Sequence, residues 1–560
     1  MKLLKKILLG AFTFNFALAL AAQTNETVAR HGMVASVNSV ATEAGVNTLK
    51  SGGNAVDAAI AVGLTLGVVD TANSGIGGGC FMLIHLADGR NIALDGRETA
   101  PAAATRDMFL RNGTGDTQLS ETGALASGVP GELATFEFAA RNYGKKTLRQ
   151  LILPAADIAE RGFKVTPGYA ERLKSVAEEM AAFDSSRAVF FVNGAPVKAG
   201  AMFKQPDLAA TYRAIAKQGS DWFYRGPFAQ SAEKWMKANG GLLTAADFAN
   251  YQAQLREPVE SSYRSYHVVS FPPPSSGGVH VIEMLNILET FDLKKMDEAT
   301  RLHLIAESMK LAFADRAYWL GDPDYAGVPR GLVTKEYAAT LAKKIRLDQV
   351  TAVLGHGLPV DWQTNVFKKH TTHFSTADAA GNWVACTATI NTSFGSKVVV
   401  PGTGVVLNDE MDDFSVQPGV PNFFGLIGAE ANAVAPGKRP LSSMSPTIVF
   451  KDGQPIIALG AAGGPKIISA VLQELVGMLD LGLTPAQALA APRIHQQWSP
   501  DELVVEKALP AKLQAALTQH GHKIKQEKAL AVSQIVARSA DGKGFVGAAD
   551  PRAGGNAAGW

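Results

Sequence analysis

The chain has 560 residues, too many for one hydrophobic core and enough for two large, closely packed portions. Apolar residues make up 47% of it, and 53 Lys and Arg meet 51 Asp and Glu, so the composition is that of an ordinary globular protein without the basic excess expected for nucleic-acid binding. Two cysteines, Cys80 and Cys386, are too few for disulfides to supply most of the stability, their pairing cannot be read from spacing, and the scattered His residues form no zinc-type pattern. Neither a metal nor a cofactor is therefore expected.

Lys2, Lys5 and Lys6 precede an apolar run over 7–20, and Ala19-Leu20-Ala21 supplies small residues for cleavage. This pattern predicts a signal peptide over 1–22, removed after Ala21 or Ala22, because the run is short for a membrane span. The mature protein is expected to be exported, to a periplasm or out of the cell. Next come a short strand over 33–37 and helices over 41–50 and 55–65, separated by the breaker Ser51-Gly52-Gly53-Asn54. Gly75-Ile76-Gly77-Gly78-Gly79-Cys80 then runs into an apolar strand. It fails the dinucleotide spacing, since Cys80 holds the third glycine position and a strand follows rather than a helix, so close backbone packing is expected of these glycines. A strand over 91–95 delivers Gly96-Arg97-Glu98, which reads as either a salt bridge or a ligand clamp.

From 147 to 310 the pattern is mainly helical, with periodic segments at 148–161, 208–218, 282–289 and 299–316 and an N-cap at Thr244. The Gly355-His356-Gly357-Leu358-Pro359 stretch and the polar, basic residues up to His370 have the composition of an exposed connector. It feeds Thr371-Thr372-His373-Phe374-Ser375-Thr376, the first half of an alternating hairpin that turns over 377–382 and returns over 383–390. A Thr at the junction of connector and core strand is an ordinary strand residue unless the chain is cut before it. If it is cut between His370 and Thr371, the new α-amine can act as the base that a weak hydroxyl nucleophile needs.

On the returning strand, Thr387, Thr389 and Asn391 fall on one face at period two. Asn408-Asp409-Glu410-Met411-Asp412-Asp413-Phe414 is an acidic cluster without the spaced ligands of a calcium loop, and suits either a solvated turn or a grip on an ammonium group. The Gly- and Asn-rich 418–434 stretch, with Phe423 and Phe424, reads as a flap. Ser442 and Ser443 precede a strand over 447–450. Gly463 and Gly464 stand between a strand and a helix over 467–479, where two backbone N–H groups can converge as an oxyanion hole or simply make a tight turn.

Thr371-Thr372-His373 with Thr389-x-Asn391, Asn408-x-Glu410-Met411-Asp412-Asp413-Phe414-Ser415, Pro440-Leu441-Ser442-Ser443-Met444-Ser445-Pro446 and Gly463-Gly464 resemble the γ-glutamyltranspeptidase family in order and spacing. Asp95-Gly96-Arg97-Glu98, Pro272-Pro273-Pro274-Ser275-Ser276-Gly277-Gly278, Ala314-Asp315-Arg316, Gly321-Asp322-Pro323-Asp324 and Asp550-Pro551-Arg552 extend the similarity over nearly the whole mature chain. The resemblance implies an α/β, four-layer αββα sandwich of the N-terminal-nucleophile hydrolase type. It implies self-cleavage into a large subunit, 23–370, and a small subunit, 371–560, that stay associated. Thr371 would be the nucleophile, Thr389 would orient it, and Gly463 and Gly464 would hold the oxyanion. Arg97, Ser442 and Ser443 would meet the donor α-carboxylate, and Asn391, Glu410 and Asp413 its α-ammonium, with Phe424 as lid. The implied substrates are glutathione and other γ-glutamyl compounds, with water, amino acids or dipeptides as acceptors.

Three positions depart from the family pattern: Cys80 in place of a further Gly, Phe424 in place of a gating Tyr, and Pro465 in place of Ser or Thr. Two rival readings are a related self-cleaving acylase for glutaryl β-lactam side chains and a non-catalytic exported protein that binds γ-glutamyl compounds.

Overall fold

The computed structural model describes residues 26–359 and 374–560. The signal-peptide segment and the His370–Thr371 junction lie outside these residues.

Two antiparallel seven-stranded sheets form the centre. The first runs Glu26–Ala29, Phe545–Ala549, Val532–Arg538, Gln454–Ala462, Thr447–Lys451, Tyr266–Ser270, Val259–Tyr263. The second runs Gln254–Arg256, Asn91–Gly96, Gly79–His85, Trp383–Thr389, Ser375–Asp378, Gly32–Ser36, Asn556–Gly559. Alternation along the strands makes the sandwich, because successive side chains point to opposite faces. Phe81 and Leu83 point with Ala385, Met33 and Ala35 into the core shared with the first sheet, where the Phe81 ring stacks on Phe271 and Arg538 lies over the Trp383 ring. Cys80, Met82 and Ile84, with Val384 and Cys386, point the other way. There they meet the helices Ser39–Lys50, Ala55–Val69, Glu132–Tyr143 and Leu148–Arg161. Helices Gly277–Glu289 and Lys466–Leu479 cover the outer face of the first sheet, and Glu298–Trp319 packs on Gly277–Glu289. The result is the expected αββα stack.

Local chemistry sets the helix starts. Asn54 and Asp57 exchange side-chain-to-backbone hydrogen bonds in a capping box, as do Thr147 with Gln150 and Thr244 with Asp247. The buried 55–69 helix continues four residues past its expected end because its burial extends to Val69. Both cysteines are free and buried, packing as small apolar side chains. Among the described residues no helix is long and apolar enough to cross a membrane.

The hairpin differs from expectation at its ends. Ala377 and Asp378 belong to the strand Ser375–Asp378, pairing with Trp383 and with Gly32. The turn is shorter, with Gly381 at φ +101° and Asp378 accepting from the Asn382 backbone and side-chain amides. The connector is also less free than its composition suggests: the Gly357 N–H donates to Asp315, and the Trp319 indole donates to the Gly357 carbonyl.

Candidate active site

The Gly79–His85 and Trp383–Thr389 strands end at the same edge of their sheet, and the 75–79 glycines bring the neighbouring backbone close. A Cβ on Gly77 would strike the Val406 carbonyl, one on Gly78 the Thr389 carbonyl, and one on Gly79 the Glu98 carboxylate. These glycines serve packing at the end of the Thr389 strand, as their sequence context predicted.

The period-two placement of Thr387, Thr389 and Asn391 on one face holds only as far as Thr389. The strand stops there, and Asn391 has φ +75°, a left-handed conformation that Asn tolerates better than most residues. The turn lets the Asn391 N–H donate to Thr389 Oγ1 at 2.8 Å and its side-chain amide donate to the Asp409 carbonyl at 3.0 Å. Thr389 and Asn391 are thus one hydrogen-bonded unit joined to the acidic segment.

That segment is not a solvated turn. Glu410–Asp413 is a short 3₁₀ helix whose Glu410 and Asp412, like the preceding Asp409, are fully buried. Its carboxylates divide by direction. Asp409 accepts from the Thr392 N–H and hydroxyl, and Asp412 accepts from the Ser120 hydroxyl and the Phe423 N–H. Glu410 and Asp413 turn to Arg97.

Arg97 is completely buried at the end of the Asn91–Gly96 strand. Its Nη1 donates to Glu410, its Nη2 to Asp413, and its Nε to the Pro440 carbonyl at 3.1 Å, with Glu98 3.8 Å from Nη1. The resemblance placed guanidinium and carboxylates at opposite ends of a bound zwitterion; here they contact each other. Three acidic groups share one guanidinium, and burial pushes the carboxyls of Glu98, Glu410 and Asp413 upward against its attraction. Both Glu98 oxygens and Glu410 Oε2 are buried without a hydrogen-bond partner among the described residues.

Ser442 and Ser443 complete this wall. Ser442 Oγ accepts from the Met444 N–H, and Ser443 Oγ accepts from Arg316 at 3.1 Å. Arg316 belongs to the Ala314-Asp315-Arg316 motif but has no expected site role. It is buried on the Glu298–Trp319 helix, donates to Ser276 Oγ, and burial draws its pKa down to about 10 against the pull of Asp413. Its signal in the sequence is the Ala314-Asp315-Arg316 motif, but only the fold brings that helix beside Ser443.

On the opposite side, Gly463 and Gly464 follow the Gln454–Ala462 strand with φ +142° and +58°, and Pro465 opens the Lys466–Leu479 helix at φ −61°. The Phe424 ring lies against Gly464, where a Cβ would sit 2.6 Å from it. The Gln497 amide donates to the Gly425 carbonyl at 3.1 Å, and Phe424 is half-buried while Phe423 is 55% exposed. A cavity of about 1100 Å³ brings together Arg97, Thr389, Asn391, Glu410, Asp413, Phe424, Ser442, Ser443, Gly463 and Gly464 on its walls. Of the expected site residues, His370 and Thr371 alone lie outside the described residues.

The profile of the family described as Gamma-glutamyltranspeptidase matches residues 41–560. The chain is 45% identical over 531 residues to the glutathione hydrolase proenzyme of Escherichia coli K12, covering 94% of this chain and 91% of that protein. It is similar in structure to a cephalosporin acylase from Bacillus halodurans, with a TM-score of 0.86 and 30% identity over 98% of this chain and 99% of the other. A Helicobacter pylori gamma-glutamyltranspeptidase chain superposes with a TM-score of 0.57 and 44% identity, covering 58% of this chain and 94% of its own length. The chain belongs to the γ-glutamyltranspeptidase family.

Proposed function

We propose that this protein is a self-cleaving γ-glutamyltransferase and hydrolase that acts on glutathione and related γ-glutamyl amides. Cleavage between His370 and Thr371 would free the Thr371 α-amine, yielding the 23–370 and 371–560 subunits. The Thr371 hydroxyl then attacks the γ-carbonyl while its amine takes the proton. Gly463 and Gly464 N–H groups stabilise the oxyanion, Thr389 orients the nucleophile, and the departing amine takes the proton back. Water resolves the γ-glutamyl ester in hydrolysis; an amino acid or dipeptide amine resolves it in transfer. Phe424 covers the site as its lid. Export to a periplasm or beyond belongs to the same proposal and rests on the N-terminal sequence.

The observation that carries the γ-glutamyl reading is the cluster of buried acidic groups around Arg97 and the acceptor atoms among them that have no described donor. Glu98, Glu410 and Asp413 crowd one guanidinium, and Glu410 Oε2, in a residue on the cavity wall, has no described donor. An α-ammonium supplies both the charge and the donors, while the α-carboxylate of the same substrate takes the Arg97 fork and the serine hydroxyls. A glutaryl group brings a carboxylate but no ammonium and leaves the acidic side uncompensated. The similarity to a cephalosporin acylase makes this comparison the decisive one. Turnover of γ-glutamyl-p-nitroanilide should exceed that of the matching glutaryl anilide by on the order of 10²-fold, as expected for a lost charge-assisted contact. Equal turnover, or a preference for the glutaryl compound, would assign the site to an acylase; binding of glutathione without turnover would assign it to a binding protein.

A further inference from the structure

Away from this cavity, His303 and Glu307 stand one helical turn apart on the Glu298–Trp319 helix, and His522 reaches them from the turn between Ala511–Gln519 and Ile524–Glu527. All three are buried, and one ligand atom from each lies within 4.8 Å of the others. We propose that His303 Nδ1, His522 Nε2 and a Glu307 oxygen form a zinc-binding site that clamps the C-terminal part of the chain to the long helix.

The proton positions favour this. His303 Nε2 lies 2.7 Å from the Arg346 carbonyl, which can only accept, so Nε2 carries the hydrogen and Nδ1 presents a lone pair. A carbonyl behind the distal nitrogen is the arrangement that orients a ligating imidazole. That lone pair faces His522 Nε2 at 2.8 Å, and moving the His522 hydrogen to its other ring nitrogen gives a second lone pair with no change in charge. Glu307 Oε2 accepts from the Thr351 N–H at 2.7 Å, while Oε1 is buried and faces the Lys310 ammonium as its ion-pair partner. Two imidazoles and a carboxylate are a donor set suited to zinc, with the remaining position left for water.

Lys310 is the competing cation. Its ammonium lies 3.1 Å from Glu307 Oε1, but it also lies 3.3 Å from Asp501 and donates to the Thr351 carbonyl. Zinc can therefore take Glu307 while Lys310 keeps its other two partners. The sequence concealed this site because residues 303, 307 and 522 have no short-range Cys/His spacing.

The test is zinc titration of the full chain after chelator treatment, read by bound-metal analysis and thermal melting, with cobalt(II) as a spectroscopic substitute. The proposal expects one zinc per chain, a melting temperature that rises with zinc concentration, and visible cobalt bands. His522→Gln should lower zinc affinity at least tenfold and abolish the cobalt bands while leaving γ-glutamyl anilide hydrolysis unchanged. His303→Gln provides an independent second variant should either fold poorly. Absence of stoichiometric zinc in the unmodified chain, or unchanged binding in a folded variant, would overturn the site.

Discussion

At the scale of single residues, the proposed donor recognition rests on Arg97 and its acidic partners. Removing one member of a buried ion-pair group leaves its partner uncompensated, which typically costs about 3–5 kcal/mol, on the order of 10²- to 10⁴-fold. Arg97→Ala and Asp413→Ala are expected to lower kcat/KM for a γ-glutamyl anilide by that factor while gel electrophoresis still shows self-cleavage. Wild-type kinetics in either variant would mean that the donor head binds elsewhere. Arg316 acts through Ser443, so Arg316→Gln should weaken donor binding by roughly tenfold, the order expected for a lost charged hydrogen bond, and should appear in KM more than in kcat. That Arg97, Glu410 and Asp413 are charged groups was readable from residue type. Their mutual contact was not, because residues 97, 410 and 413 meet only through the folded sheet edge.

At the scale of elements, the 3₁₀ turn Glu410–Asp413 links the pocket to the 418–434 stretch. Asp412 accepts from Ser120 and from the Phe423 N–H, yet burial outweighs both bonds and pushes its carboxyl up to about 8. The folded state therefore holds the Asp412 proton more tightly than the unfolded chain. Its contribution to stability is full below the ordinary carboxylate value of 3.8 and is lost as pH rises towards about 8. Asp412→Asn is expected to make the melting temperature fall less across that interval, and an unchanged profile would show that Asp412 is already ionised there. Phe424 packs on Gly464, whose φ of +58° and closeness to the ring both disfavour a side chain. Gly464→Ala should consequently reduce kcat, and Phe424→Ala in the same chain should recover part of the loss by removing the clash; no recovery would place the whole defect in the backbone. Long periodic segments such as Leu148–Arg161 were legible because helix pattern and capping agree. The acidic turn was ambiguous, since charge alone does not distinguish a solvated loop from a buried one, and the end of the Thr389 strand was hidden because alternation carries no mark of a left-handed Asn.

At the scale of the whole molecule, strands from before and after the 360–373 stretch contribute to both sheets. In the second sheet, Trp383–Thr389 and Ser375–Asp378 lie between Gly79–His85 and Gly32–Ser36. Fragments produced by cleavage near Thr371 should therefore co-elute on size exclusion in native buffer and part only in denaturant; separation in native buffer would contradict this arrangement. The layered architecture was foreseen through the family resemblance rather than through periodicity, because strand order and sheet pairing depend on contacts hundreds of residues apart. Self-cleavage that creates the catalytic amine is the central claim, and intact mass with N-terminal sequencing, beside a Thr371→Ala variant, addresses it most directly. Two fragments, the smaller beginning Thr-Thr-His-Phe, with an uncut variant, is the predicted result. A single uncut chain in both would contradict the claim.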